Sequence, residues 1–250
     1  MSQNFKLTIA YDGTAFSGWQ IQKSARTVQQ EIETALATMT RTPVRLVGSG
    51  RTDAGVHALG QVAHFKCTTR LGPEEWLKGL NSLLPDDVVI RSCQRVADAF
   101  HARYDVKCKV YRYHLRNGSR PWPIGRQYAW HIRKTLNLQR MRSVLPLLCG
   151  RKNFKAFEGA GSPRSHTIRR VMRVALVPDD HRQIALEIEA DGFLRYMVRN
   201  IVGTLVDCGL GRLTAGDVAD IIASRDRRLA SATAPPQGLF LVRVCYRMPH

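Results

Sequence analysis

The order of apolar patterns along the chain predicts an α+β fold of two ferredoxin-like (RRM-like) halves, each β-α-β-β-α-β, with their sheets joined around a central basic cleft. Three observations carry that expectation. Strand-like and helix-like periods follow one another in the same order twice. The repeat breaks near residue 105, which places one half at 1–105 and the other, with insertions, at 106–250. The 250 residues carry 38 Lys and Arg against 20 Asp and Glu, a net charge of +18, at an ordinary 44% hydrophobic content. Such a chain buries a core and presents a cationic surface.

In the first half, Phe5–Tyr11 alternates apolar and polar residues and reads as a strand. Thr27 opens a helix to about Thr40, with Val28, Ile32, Ala35 and Leu36 at helical spacing and Glu31 and Glu33 early. Val44–Val47 is a short strand running into a glycine loop, and Gln61–Cys67 is another strand. Pro73, Glu74 and Glu75 start a helix to about Leu84, since proline tolerates the first turn and acids favour its positive end. Pro85-Asp86-Asp87 is a turn and Val88–Val96 the closing strand.

In the second half, Val110–Arg116 is a strand, and Asn137 caps a helix reaching Gly150, kinked or shortened at Pro146. Arg170–Val177 and Ile184–Ala190 form a hairpin around Pro178-Asp179-Asp180. Phe193–Cys208 is a helix ended by Gly209 and Gly211. Thr214–Ser224 is an extra short helix, capped by Thr214 with Asp217 in its first turn, and Leu239–Tyr246 is the last strand. Two insertions interrupt the pattern: 117–134, with Trp122, Tyr128 and Trp130, and 151–169, rich in Gly, Ser and Arg. Loops of that length in compact domains tend to be functional or mobile.

The excess of positive charge predicts a polyanionic partner, nucleic acid first. An anionic membrane surface fits less well, because no long helix shows one apolar and one Lys/Arg face. No apolar run approaches the ~18 residues of a membrane span. The start, MSQNFKLTIAYDG, lacks the basic, apolar and small-residue zones of a secretion signal, so a cytoplasmic protein is expected. Six scattered cysteines without a CxxC pair are expected as reduced thiols. Eight histidines without HExxH or zinc spacing predict no metal site.

The most informative stretch is Gly48–Gly60, GSGRTDAGVHALG. Its glycines let the backbone turn sharply around Asp53, two residues after Arg51. Cationic surroundings keep such a carboxylate ionised, which suits a nucleophile or a base. The other reading is a tight turn closed by an Asx hydrogen bond. The loop is no P-loop, since Val56-His57 stands where Lys-Ser/Thr is required, and its third glycine is misplaced for GxGxxG. Further on, Tyr104, Lys107, Lys109, Tyr111, Arg112, Tyr113, His114 and Arg116 interleave rings and cations. Lys109, Tyr111 and Tyr113 share a strand face: either a platform for unpaired bases or a half-buried strand with solvated cations. On the helix from Phe193, the residues Tyr196, Met197, Ile201 and Leu205 make an apolar face. Arg199 is either a surface arginine at its edge or the charge partner of a buried acid, with Asp53 the candidate.

Several of these pieces belong to longer strings. Tyr11-Asp12-Gly13-Thr14, Phe16-Ser17-Gly18-Trp19-Gln20 and Thr27-Val28-Gln29 precede Gly50-Arg51-Thr52-Asp53-Ala54-Gly55-Val56-His57-Ala58 and Gly60-Gln61-Val62. Phe100-His101-Ala102-Arg103-Tyr104, Tyr111-Arg112-Tyr113, Met197-Val198-Arg199-Asn200-Ile201-Val202-Gly203 and Ala234-Pro235-Pro236-Gln237-Gly238-Leu239 follow. Over nearly its whole length the chain resembles the bacterial tRNA pseudouridine synthase A family. The resemblance implies isomerisation of uridine to pseudouridine at positions 38, 39 and/or 40 of the tRNA anticodon stem-loop. The N1–C1′ bond breaks, the uracil turns, and C5 joins C1′. It further implies that Asp53 is the catalytic aspartate, that Tyr111 packs on the target base, and that Arg199 pairs with the aspartate. Arg51 helps flip the nucleotide out, and Asp12, Lys109 and Leu239 are expected substrate contacts. The family works as a homodimer without metal or organic cofactor. Whether Asp53 attacks C1′ or removes the C2′ proton stays open. Two other readings are a non-catalytic RNA-binding protein of two RRM-like sheets and a hydrolytic nucleosidase. The lack of a second acid near Asp53 in the motif counts against the latter.

Overall fold

The structure, a computed structural model, describes residues 2–161, 166–179 and 183–247. Along the chain run β1 (Ser2–Tyr11), α1 (Val28–Thr40), β2 (Leu46–Gly48), β3 (His57–Thr68), α2 (Pro73–Leu83), β4 (Val88–Val96), β5 (Cys108–Asn117), β6 (Trp130–Ile132), α3 (Leu138–Leu148), β7 (Gly150–Asn153), β8 (Ile168–Asp179), β9 (Gln183–Ala190), α4 (Met197–Gly209), α5 (Ala215–Ser224) and β10 (Leu239–Cys245). They form a mixed α+β fold with mostly antiparallel strand pairing. Two compact units are present: Met1–Lys107 with Phe240–His250, and Cys108–Leu239. The last strand, expected in the second half, thus packs almost entirely with the first unit.

The first unit has the expected β-α-β-β-α-β order. Its strands lie β4-β1-β3, with β2 also on β3, and all of these pairs are antiparallel. Alternation along β1 puts Phe5, Leu7, Ile9 and Tyr11 into the core. Helix α1 adds Val28, Ile32, Ala35 and Leu36, and α2 adds Trp76 and Leu80. The centre is a ring cluster, with Phe5 5.3 Å and Trp76 5.1 Å from Phe65.

Three strand starts in this unit differ from expectation, the first being Ser2 rather than Phe5 for β1. The short second strand begins at Leu46 rather than Val44. Val44 is buried but lies outside the ladder, behind Pro43, which has no N–H to give it. Strand β3 begins at His57, four residues before the expected Gln61. The register with β1 shifts there, from Tyr11 opposite Ala58 to Ile9 opposite Gln61, which leaves an extra residue on β3. At this bulge Gly60 has no room for a side chain: a Cβ would lie 2.5 Å from the Val242 carbonyl oxygen. A glycine at a bulge reads in sequence as a turn.

In the second unit the antiparallel order is β5-β9-β8-β7, and β6 pairs with β5 in parallel. Asn137 caps α3 by accepting the Arg140 N–H at 3.0 Å, and the helix carries Pro146 two residues before its end. Thr214 and Asp217 form the capping box of α5. Helix α4 starts at Met197, not Phe193, because Tyr196 takes a left-handed φ of 60°.

The segment 151–169 is not a surface loop. Residues 150–153 form β7, and Phe154, Ala156 and Phe157 are fully buried. Residues 162–165 of this insertion lie outside the described residues. Within 117–134, β6 adds to the edge of β5. The expected hairpin is present as the β8–β9 ladder, paired from Val171–Ala190 to Asp179–Gln183; Asp180 of its turn lies outside the described residues. All six cysteines are free thiols. Among the described residues no helix is long and apolar enough to cross a membrane.

Candidate active site

Asp53 sits half-buried on the loop between β2 and β3. The chain turns tightly there: the Val56 N–H bonds the Asp53 carbonyl at 3.2 Å, and Gly55 supplies a φ of 73°. A second loop, residues 12–20, grips this turn. The Trp19 N–H donates to the Thr52 carbonyl at 3.1 Å, and the Gly55 N–H donates to the Phe16 carbonyl at 3.2 Å. The Tyr11 hydroxyl and Thr52 Oγ1 lie 2.8 Å apart. Burial pushes the Tyr11 phenol up, and hydrogen bonds from Thr52 and Gln61 oppose that shift.

Glycines permit the approach. Gly18 has φ 96°, and a Cβ on it would lie 2.7 Å from the Thr52 carbonyl oxygen and 3.2 Å from the Asp53 carbonyl carbon. The other side of the loop is fastened by buried polar groups. Ser49 Oγ donates to Gln61 Oε1 at 2.7 Å, and Gln61 Nε2 donates to the Gly50 carbonyl at 3.1 Å. The peptides flanking Asp53 are therefore held from both directions.

Asp12 and Arg51 belong to the same pair of loops. Asp12 Oδ1 accepts the Thr14 N–H at 2.9 Å and the Thr14 hydroxyl at 2.6 Å. It also lies 3.1 Å from Nδ1 of buried His57, which accepts the Gly13 N–H at 2.9 Å. The His57 ring stacks on Phe240 at 4.5 Å. Arg51 is exposed, and its Nε donates to Gln20 Oε1 at 3.1 Å. Behind the loops, Arg26 makes a bidentate pair with Asp87 at 2.6 and 2.9 Å and lies 4.2 Å over the Phe16 ring.

The remaining candidates lie in the second unit. On β5, Lys109 is half-buried and Tyr111 only 8% exposed, its ring edge-on to Phe193 at 5.1 Å. Tyr113 shares that face but is fully buried, and its hydroxyl donates to the Pro235 carbonyl at 2.7 Å. A ring with no accessible surface cannot stack on a base, which corrects the sequence-based reading of Tyr113.

Arg199 is half-buried on α4. Its Nε donates to the Ala234 carbonyl at 2.7 Å, the Ala234 N–H returns a bond to the Arg199 carbonyl at 3.1 Å, and the guanidinium lies 4.9 Å from the Tyr196 ring centre. Leu239, at the end of the same 234–239 segment, is buried. This segment is therefore tied to α4 through Arg199 and to β5 through Tyr113. Gly203 lets the preceding residues lie on the helix, since a Cβ there would meet the Ala232 carbonyl.

Sequence reading missed the polar residues that do this fastening. Asn200, fully buried, donates to the Phe157 carbonyl at 2.8 Å and accepts from Arg227 at 3.0 Å and Thr233 at 2.7 Å. Gln61 and Ser49 play the same part beside Asp53. They stood inside the quoted motif strings, but nothing in the sequence marked them as fasteners.

The family described as tRNA pseudouridine synthase matches residues 7–105 and 145–247. A tRNA pseudouridine synthase A of Thermoanaerobacter sp. (strain X514) is 45% identical over 98% of this chain and 100% of its own length. That of Ruminiclostridium cellulolyticum is 41% identical over the same shares, and that of Geobacter sulfurreducens 42% over 97% and 99%. Among solved structures, the archaeal box H/ACA sRNP Nop10-Cbf5 complex is similar at a TM-score of 0.36 and 10% identity, over 90% of this chain and 59% of that one. Matched across most of both units and over the full length of its relatives, this chain belongs to the tRNA pseudouridine synthase family.

Proposed function

We propose that this protein isomerises uridine to pseudouridine in tRNA, at positions 38, 39 and/or 40 of the anticodon stem-loop, with Asp53 as the catalytic carboxylate. The observation that supports this reading best is the two-sided fastening of the Asp53 turn by Tyr11, Phe16, Gly18 and Trp19 on one side and Ser49 and Gln61 on the other. A reacting group gains most from a backbone that does not have to be ordered during the reaction.

The target base is stacked in the stem, so it is extruded at a cost of a few kcal/mol. Phosphate contacts by a chain of net charge +18 offset that cost. In this reading Arg51 assists extrusion, Tyr111 packs on the uracil, and Asp12, Lys109 and Leu239 contact the substrate. Arg199 is the cationic partner of the aspartate. The N1–C1′ bond breaks, the uracil rotates and C5 bonds to C1′; C5 loses its proton by way of Tyr111 and the freed N1 gains one, so the product is an isomer of the substrate. An ionised Asp53 acts on the ribose, at C1′ as positive character develops there or at the C2′ proton. The enzyme is read as a cytoplasmic homodimer that needs no metal or organic cofactor.

The test is a pseudouridine assay on an unmodified tRNA transcript with wild type and Asp53→Asn. The expected result is conversion by wild type alone, in the anticodon arm, with both proteins binding tRNA. Tight binding without conversion by either would favour a non-catalytic RNA-binding protein. Release of free uracil would favour a nucleosidase.

A further inference from the structure

The string Phe100-His101-Ala102-Arg103-Tyr104 has no part in the site above. It forms a closed turn. The His101 N–H donates to Asp105 Oδ2 at 2.8 Å, and the Asp105 N–H donates back to the His101 carbonyl at 3.1 Å. His101 Nδ1 accepts two backbone donors, the N–H groups of Arg103 and Tyr104, each at 3.2 Å. Ala102, fully buried, pins the turn to the sheet: its N–H donates to His64 Nδ1 at 3.1 Å and its carbonyl accepts the Tyr246 hydroxyl at 2.7 Å.

On this rigid base stands Tyr104. Its ring stacks on His101, centroids 4.2 Å apart and planes 24° from parallel, and His101 in turn rests on His64 at 4.8 Å. Yet 75% of Tyr104 is exposed, more than any other aromatic residue among those described. The Arg103 guanidinium lies 5.8 Å from the ring centre, and Arg103 and Lys107, on either side of it in the chain, are both exposed. A flat ring held in place, open to water and flanked by positive charge has the features of a base-stacking surface. Most of the entropy that a tyrosine loses on stacking has already been lost to His101.

We propose that Tyr104 is a second, non-catalytic contact for the RNA, stacking on an unpaired base of the tRNA while Arg103 meets the adjacent phosphate. The proposal rests on the tRNA reading above. His64, which supports the platform, lies seven residues along β3 from His57, beside the Asp53 turn. At ~3.3 Å per residue the two are roughly 23 Å apart. The base held by Tyr104 is therefore several nucleotides from the one that reacts.

The experiment is equilibrium binding of an unmodified tRNA transcript at several salt concentrations, with wild type, Tyr104→Ala, Tyr104→Leu, Tyr104→Phe and Arg103→Ala. Tyr104→Ala and Tyr104→Leu should each weaken binding about 5- to 150-fold without changing the salt slope, and Tyr104→Phe should bind within about twofold of wild type. Arg103→Ala should lower the salt slope by about one unit. Leucine keeps bulk on His101 but has no aromatic face, so binding by Tyr104→Leu equal to wild type overturns the proposal. So does Tyr104→Ala binding at wild-type strength. A wild type that does not bind the transcript overturns the tRNA reading instead.

Discussion

Gly18→Ala tests whether the fastening of the Asp53 turn matters to the chemistry. The residue has φ 96°, where a Cβ costs ~1–2 kcal/mol. Its new methyl would also lie 2.7 Å from the Thr52 carbonyl oxygen and 3.2 Å from the Ala54 nitrogen. Both are backbone atoms, unable to swing aside, so overpacking adds ~1–3 kcal/mol. The total is about 2–5 kcal/mol, relieved in part by pushing the Asp53 turn outward. A displacement of that kind costs ~10²-fold in turnover. Gly150→Ala is the control: φ is 95°, but the nearest atom is Lys152 Cε at 3.9 Å, so only the backbone cost of ~1–2 kcal/mol applies. The assay is single-turnover pseudouridine formation well below the unfolding temperature, beside thermal unfolding of each protein. Gly18→Ala should lose about two orders of magnitude in rate and Gly150→Ala almost none. If Gly18→Ala reacts within threefold of wild type, the loop contact does not place Asp53.

Other outcomes follow from single contacts. Tyr113→Phe leaves the Pro235 carbonyl without its 2.7 Å donor and should cost ~1–3 kcal/mol in denaturant unfolding; an unfolding midpoint equal to that of wild type would mean the bond adds nothing to the fold. Phe157→Ala should destabilise by ~3–5 kcal/mol, because its side chain is fully buried; a loss below ~1 kcal/mol would return that segment to the surface. His64, buried and near the charges of His101 and Lys66, has its pKa lowered from 6.5 to about 4. Between those values the unfolded chain takes up a proton that the folded one refuses, so stability falls as pH drops from 6.5 towards 4. At ~1.4 kcal/mol per unit this amounts to about 3 kcal/mol. Urea unfolding at pH 7, 5.5 and 4.5 should show a steeper loss for wild type than for His64→Gln, and equal slopes would refute the assignment.

The first unit was legible because its signals are local. Alternation in β1, helical spacing in α1 and a proline with acids at the start of α2 each specify one element without help from the rest. The misplaced boundaries sit where tertiary contact overrides local pattern. Gly60 reads as a break but lies in a strand pressed against Val242. Phe193–Cys208 reads as one helix, but Tyr196 adopts a left-handed conformation with its ring under Gly159. The segment after Gly150 looked like loop from its Gly, Ser and Arg content, and two phenylalanines decided otherwise. The glycine turn around Asp53 was visible in the sequence. The residues that hold it were not, because Tyr11, Gly18, Ser49 and Gln61 gain their meaning only when separate loops meet.

The position of β10 has a consequence for how the protein is made. Phe240 and Leu241 pair with His57 and Ala58, the Lys107 N–H bonds the Cys245 carbonyl at 2.8 Å, and Tyr246 holds Ala102. The first unit is thus completed by a strand synthesised only after the whole of the other unit. Until then the His57–Ala58 end of β3, beside the Asp53 turn, lacks its strand partner and is open to wrong ones. A nascent chain halted near residue 200 should be sticky and bind a chaperone through its first hundred residues, and a nick before Phe240 should loosen the N-terminal unit sooner than the one in which the cut is made.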